Sequence, residues 1–176
     1  MDYYISFYEM KDIVIPDTKY DDIVVKNIKD APISDFVTYD RDIFPYERSD
    51  FVKAYIQDKA AFARVAYDKN GKVIGIGAVV AYPSGECVIA PMYCDNMHVA
   101  RAIFTDILRE MPLEKLWRFH IRSHNKHDES FEWIKPFIRP QFERKHLAKL
   151  LYSLHEIQYV DIKRIYAFMP ITNYPL

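Results

Sequence analysis

Proton-carrying side chains gather around one stretch of this chain. Glu86, Asp95 and His98 flank the apolar run Cys87-Val88-Ile89-Ala90-Pro91-Met92-Tyr93, and His120 follows between Arg118 and Arg122. Any of the four could serve as a general base. His120 is the most attractive, because an imidazole titrates near neutrality. Each also has a plain structural reading: Glu86 a solvated turn residue after Gly85, Asp95 a helix cap, His98 an exposed first-turn residue, His120 one position on a polar strand face. Within the apolar run, Pro91 has no amide hydrogen to give a ladder. It belongs at an edge, a bulge or a point where pairing stops. A strand that stops pairing just before a helix leaves backbone groups beside a helix N-terminus, a geometry suited to an extended, anionic small molecule.

The elements that must position these residues can be read from periodicity and turn chemistry. Residues 1–20 alternate weakly and contain Pro16-Asp17, which predicts an edge strand, hairpin or linker up to residue 22. Residues 23–28 read as a short strand. Ser34 or Asp35 caps a helix that stops near Pro45, and Ser49 or Asp50 caps a second one carrying Phe51, Val52, Tyr55 and Ile56. Strands at 62–67 and 72–82 are joined by Asp68-Lys69-Asn70-Gly71, a strong hairpin signal. After Pro83-Ser84-Gly85 comes the Pro91 strand, 86–94. Asp95 or Asn96 then caps a helix whose face Val99, Ile103, Ile107 with Ala100, Phe104, Leu108 keeps the 3.6-residue period. A strand at 116–123, a short helix at 128–137 broken by Pro136, and strands at 146–154 and 159–169 complete the order β-α-α-β-β-β-α-β-α-β-β behind an N-terminal piece.

Bulk properties narrow the function classes. Half of the 176 residues are apolar and 28% are charged, which fits one globular domain with a substantial core. Net charge is −1 and the pI is about 6.6, so no field points to nucleic acid or an anionic membrane. The longest apolar run, 73–82, is about half of the roughly 20 residues a membrane helix needs, and the first residues lack the pattern of a signal peptide. The expectation is a soluble, cytoplasmic protein. Cys87 and Cys94 lie seven apart, roughly 23 Å on one strand at about 3.3 Å per residue, which rules out an intrachain disulfide. His120, His124 and His127 span a strand end and a loop with no Cys to complete a tetrahedral set, so no metal is expected. Walker and dinucleotide glycine patterns are missing.

The element order, with its proline-interrupted strand before the long helix, resembles the GCN5-related N-acetyltransferase (GNAT) superfamily. Three stretches sharpen the likeness toward the acetyltransferase domain that forms the second half of bacterial tandem proteins and occurs in nematode proteins of unknown function. Residues 39–51, YDRDIFPYERSDF, are similar to that branch's YDxxxFGxxRxxFL; residues 89–95, IAPMYCD, to its IGPLYAD; and residues 164–168, RIYAF, to its RVFGITS. The likeness runs from about 23 to 168 within a domain set at 23–170, leaving 171–176 as a tail.

The resemblance implies an α+β fold: a mixed, mostly antiparallel sheet with helices on both faces. It implies acetyl-CoA as co-substrate, its arm along the backbone of Met92, Tyr93 and Cys94 where two strands splay, and its diphosphate at the helix start, Asn96, Met97, His98, Val99 and Ala100. Arg101, one turn in, would add a counter-charge or sit solvated on the surface. Asn125 matches the Asn at the start of the next helix. The Tyr that protonates the departing thiolate has no counterpart at Phe131-Glu132, which leaves Tyr152 as the phenol, with a core tyrosine as its plain reading. His120 and Glu86 are the catalytic candidates beside it. The chain departs from the family's Arg/Gln-x-x-Gly-x-Gly/Ala loop, having Met97, His98 and Val99 where glycines let a diphosphate approach. The implied partners are a small-molecule or peptide amine and a second copy or second acetyltransferase domain, with neither nucleic acid nor membrane. The missing glycines and phenol motivate an alternative: a non-catalytic domain that kept the fold to bind a protein or another ligand.

Overall fold

Asn70 and Gly71 turn the chain back on itself between two apolar strands, with Gly71 at φ 81°, and the sheet grows from this hairpin. The structure is a computed structural model and describes residues 2–44, 46–124, 129–139, 146–149 and 161–167. Its strands are β1 (Asp2–Glu9), β2 (Val24–Asn27), β3 (Ala61–Tyr67), β4 (Val73–Ala81), β5 (Glu86–Cys94), β6 (Arg118–His124), β7 (His146–Lys149) and β8 (Ile165–Ala167). The helices are α1 (Ile33–Ile43), α2 (Ser49–Ile56), α3 (Met97–Glu110) and the single turn α4 (Glu129–Glu132). The sheet runs β2-β3-β4-β5-β6-β1-β7, with β8 also bonded to β5. Among the described strands, β5 and β6 are the one parallel pair, because α3 carries the chain across the sheet between them.

Each face of the sheet buries one apolar cluster. α3 lays Val99, Ile103, Phe104 and Ile107 on Cys87, Ile89, Met92, Phe119 and Ile121, joined by Trp133 and Phe137. α1 and α2 lay Phe36, Ile43, Val52 and Ile56 on Val65, Ile76, Ala78 and Tyr93 of the other face. This is the α+β architecture that the resemblance implies. α3 comes close to β4 because two strand positions lack side chains. A Cβ at Gly75 would stand 2.6 Å from Val99 Cγ1, and one at Gly77 2.7 Å from Ile103 Cγ2.

The N-terminal strand is not an edge. β1 pairs with β6 from Tyr3 opposite His124 to Glu9 opposite Arg118, while Asp2, Tyr3 and Tyr4 face β7 on its other side. β6 needs this partner, because β5 covers it only as far as Ile121. Helix starts also depart from expectation. α1 begins at Ile33 behind Pro32 with no side-chain cap, and the Asp35 carboxylate instead accepts from the Tyr67 hydroxyl at 2.7 Å. Arg48, not Ser49, holds the cap position of α2. Asn96 caps α3 as one of the two expected residues, its Oδ1 accepting from the Val99 amide at 3.1 Å.

α1 and α2 are tied by a buried ion pair. Arg48 donates from Nε to Asp40 Oδ2 at 2.8 Å and from Nη2 to Oδ1 at 2.5 Å, with Asp40 only 2% exposed. Burial pushes the Asp40 carboxyl above its usual range, and Arg48 offsets part of that rise. The guanidinium also lies 4.1 Å over the Phe44 ring.

Two stability measurements follow from this packing. Gly77→Ala must move Ile103 or Met92, and should lower unfolding stability by about 1–3 kcal/mol, read as a lower urea midpoint at unchanged slope. Arg48→Met strands a buried carboxylate, and should cost about 3–5 kcal/mol at pH 7. Because the folded-state pKa of Asp40 is raised, the folded protein takes up that proton before the unfolded chain does as pH falls. The loss in Arg48→Met should therefore shrink between pH 7 and pH 5. A deficit that stays constant or grows toward acid would contradict this reading of Asp40.

Candidate functional site

Pro91 lies where two ladders change. Against β4, the register jumps from Val79 opposite Ile89 to Gly77 opposite Met92, so Ala90 and Pro91 together face the single residue Ala78. Against β6, pairing runs from Glu86 opposite Arg118 to Ile89 opposite Ile121 and stops there. The Ala90–Pro91 peptide is cis. Above this point β5 and β6 part, as a proline in a central strand predicts. The backbone groups exposed by the parting are nevertheless not free. β8 takes them, with Met92 opposite Ala167 and Tyr93 opposite Ile165 in antiparallel register. Residues expected to hold an extended ligand hold the chain's own closing strand.

That strand is fastened by one polar side chain just before it and one within it. Arg164, immediately before β8, reaches Asp95 Oδ1 at 3.2 Å, donates from Nε to the Tyr39 hydroxyl at 3.3 Å, and stacks 4.3 Å from the Tyr39 ring. The Tyr39 hydroxyl donates to Asp95 Oδ1 at 2.7 Å. Burial opposes the Arg164 charge, but the Tyr39 and Asp95 oxygens outweigh it and its pKa is raised. Burial holds the Tyr39 phenol in its neutral form. In the middle of β8 the Tyr166 hydroxyl donates to Glu129 Oε2 at 3.0 Å, and its ring meets Trp133 edge-on at 6.4 Å. Tyr39, Asp95 and Arg164 come one each from the three stretches singled out in the sequence.

The residues at the start of α3 are mostly committed to structure. Asn96 is the cap, Met97 packs at the margin of the core, and Val99 and Ala100 are buried beneath the helix. His98 turns toward the N-terminal segment, with Nε2 at 3.1 Å from Asp22 Oδ1 and its ring 5.1 Å from that of Tyr20. Arg101 is neither solvated nor turned to an anion at the helix start. It donates from Nε to the Trp133 carbonyl at 3.1 Å and from Nη2 to the Glu132 carbonyl at 3.0 Å, closing the end of α4. Asp95, expected as a cap, instead carries the junction with Tyr39 and Arg164. Cys87 and Cys94 are buried free thiols; burial pushes Cys87 up to about 12 and holds Cys94 well above its usual value. Asn125 and Tyr152 lie outside the described residues.

A polar wall runs along the α1/α2 face of β6. Phe119 and Ile121 turn into the α3-side core, which leaves Arg118, His120 and Arg122 on the opposite face. Glu86 is not a solvated turn residue. It pairs with Arg118, which stacks on Phe7 at 4.8 Å and Trp117 at 4.3 Å. His120 sits one rung below the last β5–β6 pair, opposite Val88 and Phe7. Burial and then Arg122 and Arg118 lower its pKa to about 4, with Glu86 opposing them. The expectation of a group titrating near neutrality gives way to an imidazole that is neutral throughout that range. Its Nε2, the Arg122 Nε and the hydroxyl of Tyr55 are buried without hydrogen-bond partners among the described residues. Burial raises the Tyr55 phenol, with Tyr82, Tyr93 and Asp58 adding to the rise and Arg122 opposing it. Sequence reasoning did not find Tyr39, Tyr55 or Arg164 as site residues; Tyr39 and Arg164 meet only through the tertiary fold, and Tyr55 comes to the Arg122 side of the wall from α2. Among the described residues no three His, Cys, Asp or Glu side chains cluster as metal ligands, and no helix is long and apolar enough to cross a membrane.

A family described as an acetyltransferase (GNAT) domain matches residues 36–135, and one described as a protein of unknown function matches residues 1–43. No curated protein matches the chain in sequence. A provisionally assigned acetyltransferase from Pyrococcus horikoshii shares the fold at a TM-score of 0.59 and 18% identity, over 97% of this chain and 52% of its own. Aminoglycoside 6'-N-acetyltransferase from Acinetobacter baumannii gives a TM-score of 0.54 at 11% identity, over 74% of this chain and 99% of its own. A tandem GNAT protein from the clavulanic acid biosynthesis pathway gives 0.51 at 7% identity, over 74% and 47%. The chain spans about half the length of the Pyrococcus and tandem structures. With more than half of its residues inside the family match, this chain belongs to the GNAT acetyltransferase domain family.

Proposed function

We propose that the chain is an N-acetyltransferase that moves an acetyl group from acetyl-CoA to a primary amine by direct attack. The observation that carries the reading is the parting of β5 from β6 above Ile89 and Ile121, next to the N-terminus of α3. The slot suits the group. It already takes an extended, amide-bearing strand in β8, bonded along Met92 and Tyr93. GNAT domains generally use acetyl-CoA, whose thioester supplies an activated acetyl carbon. Once the edge of β5 is bare, the backbone of Met92, Tyr93 and Cys94 can bond the amides of the arm. The α3 dipole favours the diphosphate at the first turn of that helix.

The overall reaction joins the amine nitrogen to the acetyl carbon, breaks the C–S bond, and releases a free thiol and one proton from an ammonium substrate. Such a transfer needs the amine unprotonated and held in line. A neutral His120 suits the second task. Its unpartnered Nε2 can accept an N–H from an uncharged amine and point the lone pair, while a pKa near 4 makes it a poor sink for the ammonium proton. Glu86 is held by Arg118 and is the weaker candidate. Tyr152 remains the proposed acid toward the departing sulfur, and Asn125 a proposed cofactor contact.

Incubation with acetyl-CoA and a panel of primary amines should yield N-acetyl product and free thiol in equal amounts. His120→Ala should lower kcat/KM by about 10²-fold at unchanged thermal midpoint. In the wild type, kcat/KM should rise with pH along the amine's own ionisation, with no limb near 6.5. Thiol release without N-acetyl product from any amine would overturn the transfer reading. A limb near 6.5 that vanishes in His120→Ala would overturn the neutral-imidazole role.

A further inference from the structure

β8 is a short strand with an unusual position. It is three residues long, fully buried, and lies beside β6 while its ladder is made with β5. It therefore stands in the gap between two strands that pair with each other lower down. Ile165 belongs to the α1/α2-side core, and Tyr166 and Ala167 to the α3-side core, so the strand seals the sheet from both faces. Among the described residues two pairs join it to β5, and their register shifts between Met92 and Tyr93.

A side-chain clasp adds to the ladder just before the strand begins. Arg164 joins a carboxylate on the α3 side of the slot, Asp95, to a phenol from α1, Tyr39. Asp95 is itself fixed by its amide, which donates to the Ile74 carbonyl at 2.9 Å, and the single Tyr39 O–H is shared between Asp95 and that carbonyl, 3.0 Å away. The clasp thus joins β8 to the end of β4, the end of β5 and the first helix. It sits at the entrance of α3, where the proposed diphosphate would approach.

We propose that β8 and the acetyl-CoA arm are alternative occupants of one slot, so that the resting domain is self-blocked and the Arg164–Asp95–Tyr39 clasp sets how often it opens. This rests on the acetyl-CoA reading above. Both occupants need the same backbone groups of Met92 and Tyr93, and an antiparallel strand and a ligand cannot bond them together. Apparent affinity for the cofactor is then the intrinsic affinity reduced by the open fraction. Anything that draws Arg164 away from Asp95, such as an acidic group on an adjoining domain, would raise that fraction.

The test compares acetyl-CoA binding by titration calorimetry in three full-length proteins. Arg164→Met removes the clasp and should tighten the apparent Kd about tenfold relative to wild type, the scale of one charged hydrogen-bonded contact. Met92→Cys with Ala167→Cys, opposite one another in register, should form a disulfide that holds β8 in place. Oxidised, this variant should not bind acetyl-CoA; reduced, the same protein should regain binding. Hydrogen exchange should rise at 165–167 when acetyl-CoA is added to wild type. Equal binding by oxidised and reduced double variants, or unchanged exchange at 165–167 in a protein that binds, overturns the shared slot and leaves the acetyltransferase reading standing. An Arg164→Met affinity equal to wild type overturns the clasp. Absence of binding in wild type, Arg164→Met and the reduced double variant overturns the acetyl-CoA reading itself.

Discussion

Pro91 cannot give a hydrogen to a neighbouring strand, and the layout of the upper sheet follows from that. Below it, β5 is a central strand bonded on both sides. At it, the register against β4 shifts and the parallel ladder to β6 ends. Above it, the same strand turns a second bare edge toward a gap, and an unpaired buried edge is not tolerated without compensation. In this chain the compensation is internal. β8 fills the gap, both cores close over it, and the helix that begins at Met97 starts beside a sealed slot.

Charge placement explains why that seal is held. Asp95 brings a carboxylate to the positive end of α3, where a helix N-terminus stabilises it. Its other two partners are a neutral phenol and the Arg164 guanidinium, both partly withdrawn from water. A second buried pair, Asp40 with Arg48, ties α1 to α2, and the Phe44 ring meets both Arg48 and Tyr93. The segment 39–51 therefore does two jobs. Tyr39 clasps the closing strand, and the next residue locks the helices that cover it.

Much of this was legible in the chain itself. Period-2 and period-3.6 patterns gave β2 to β6 and α3 within a residue or two, because Asn70-Gly71, Gly85 and Asn96 mark their turns and cap with strong local chemistry. Pro91 announced the break in pairing. A strand within 159–169 was legible, but not its place in the break, because its pairing with β5 spans some seventy positions of chain. The roles of Arg101 and Glu86 were hidden for a related reason. A long charged side chain takes its partner from whichever element folds against it, and the Trp133 carbonyl and Arg118 are brought close only by the tertiary fold. His120 was found as a residue and misjudged as a titrating group, since its alternation with Arg118 and Arg122 places two cations on its own face. Those charges, with burial, move it away from neutrality.

The central claim is that the gap above Pro91 is a ligand slot and not merely a fault in the sheet. A crystal structure grown with desulfo-coenzyme A tests it most directly. The account predicts the pantetheine arm extended along Met92 to Cys94, the diphosphate at the first turn of α3, and β8 displaced from β5. A ligand bound elsewhere on the surface, with Met92 still opposite Ala167 and Tyr93 still opposite Ile165, would contradict it.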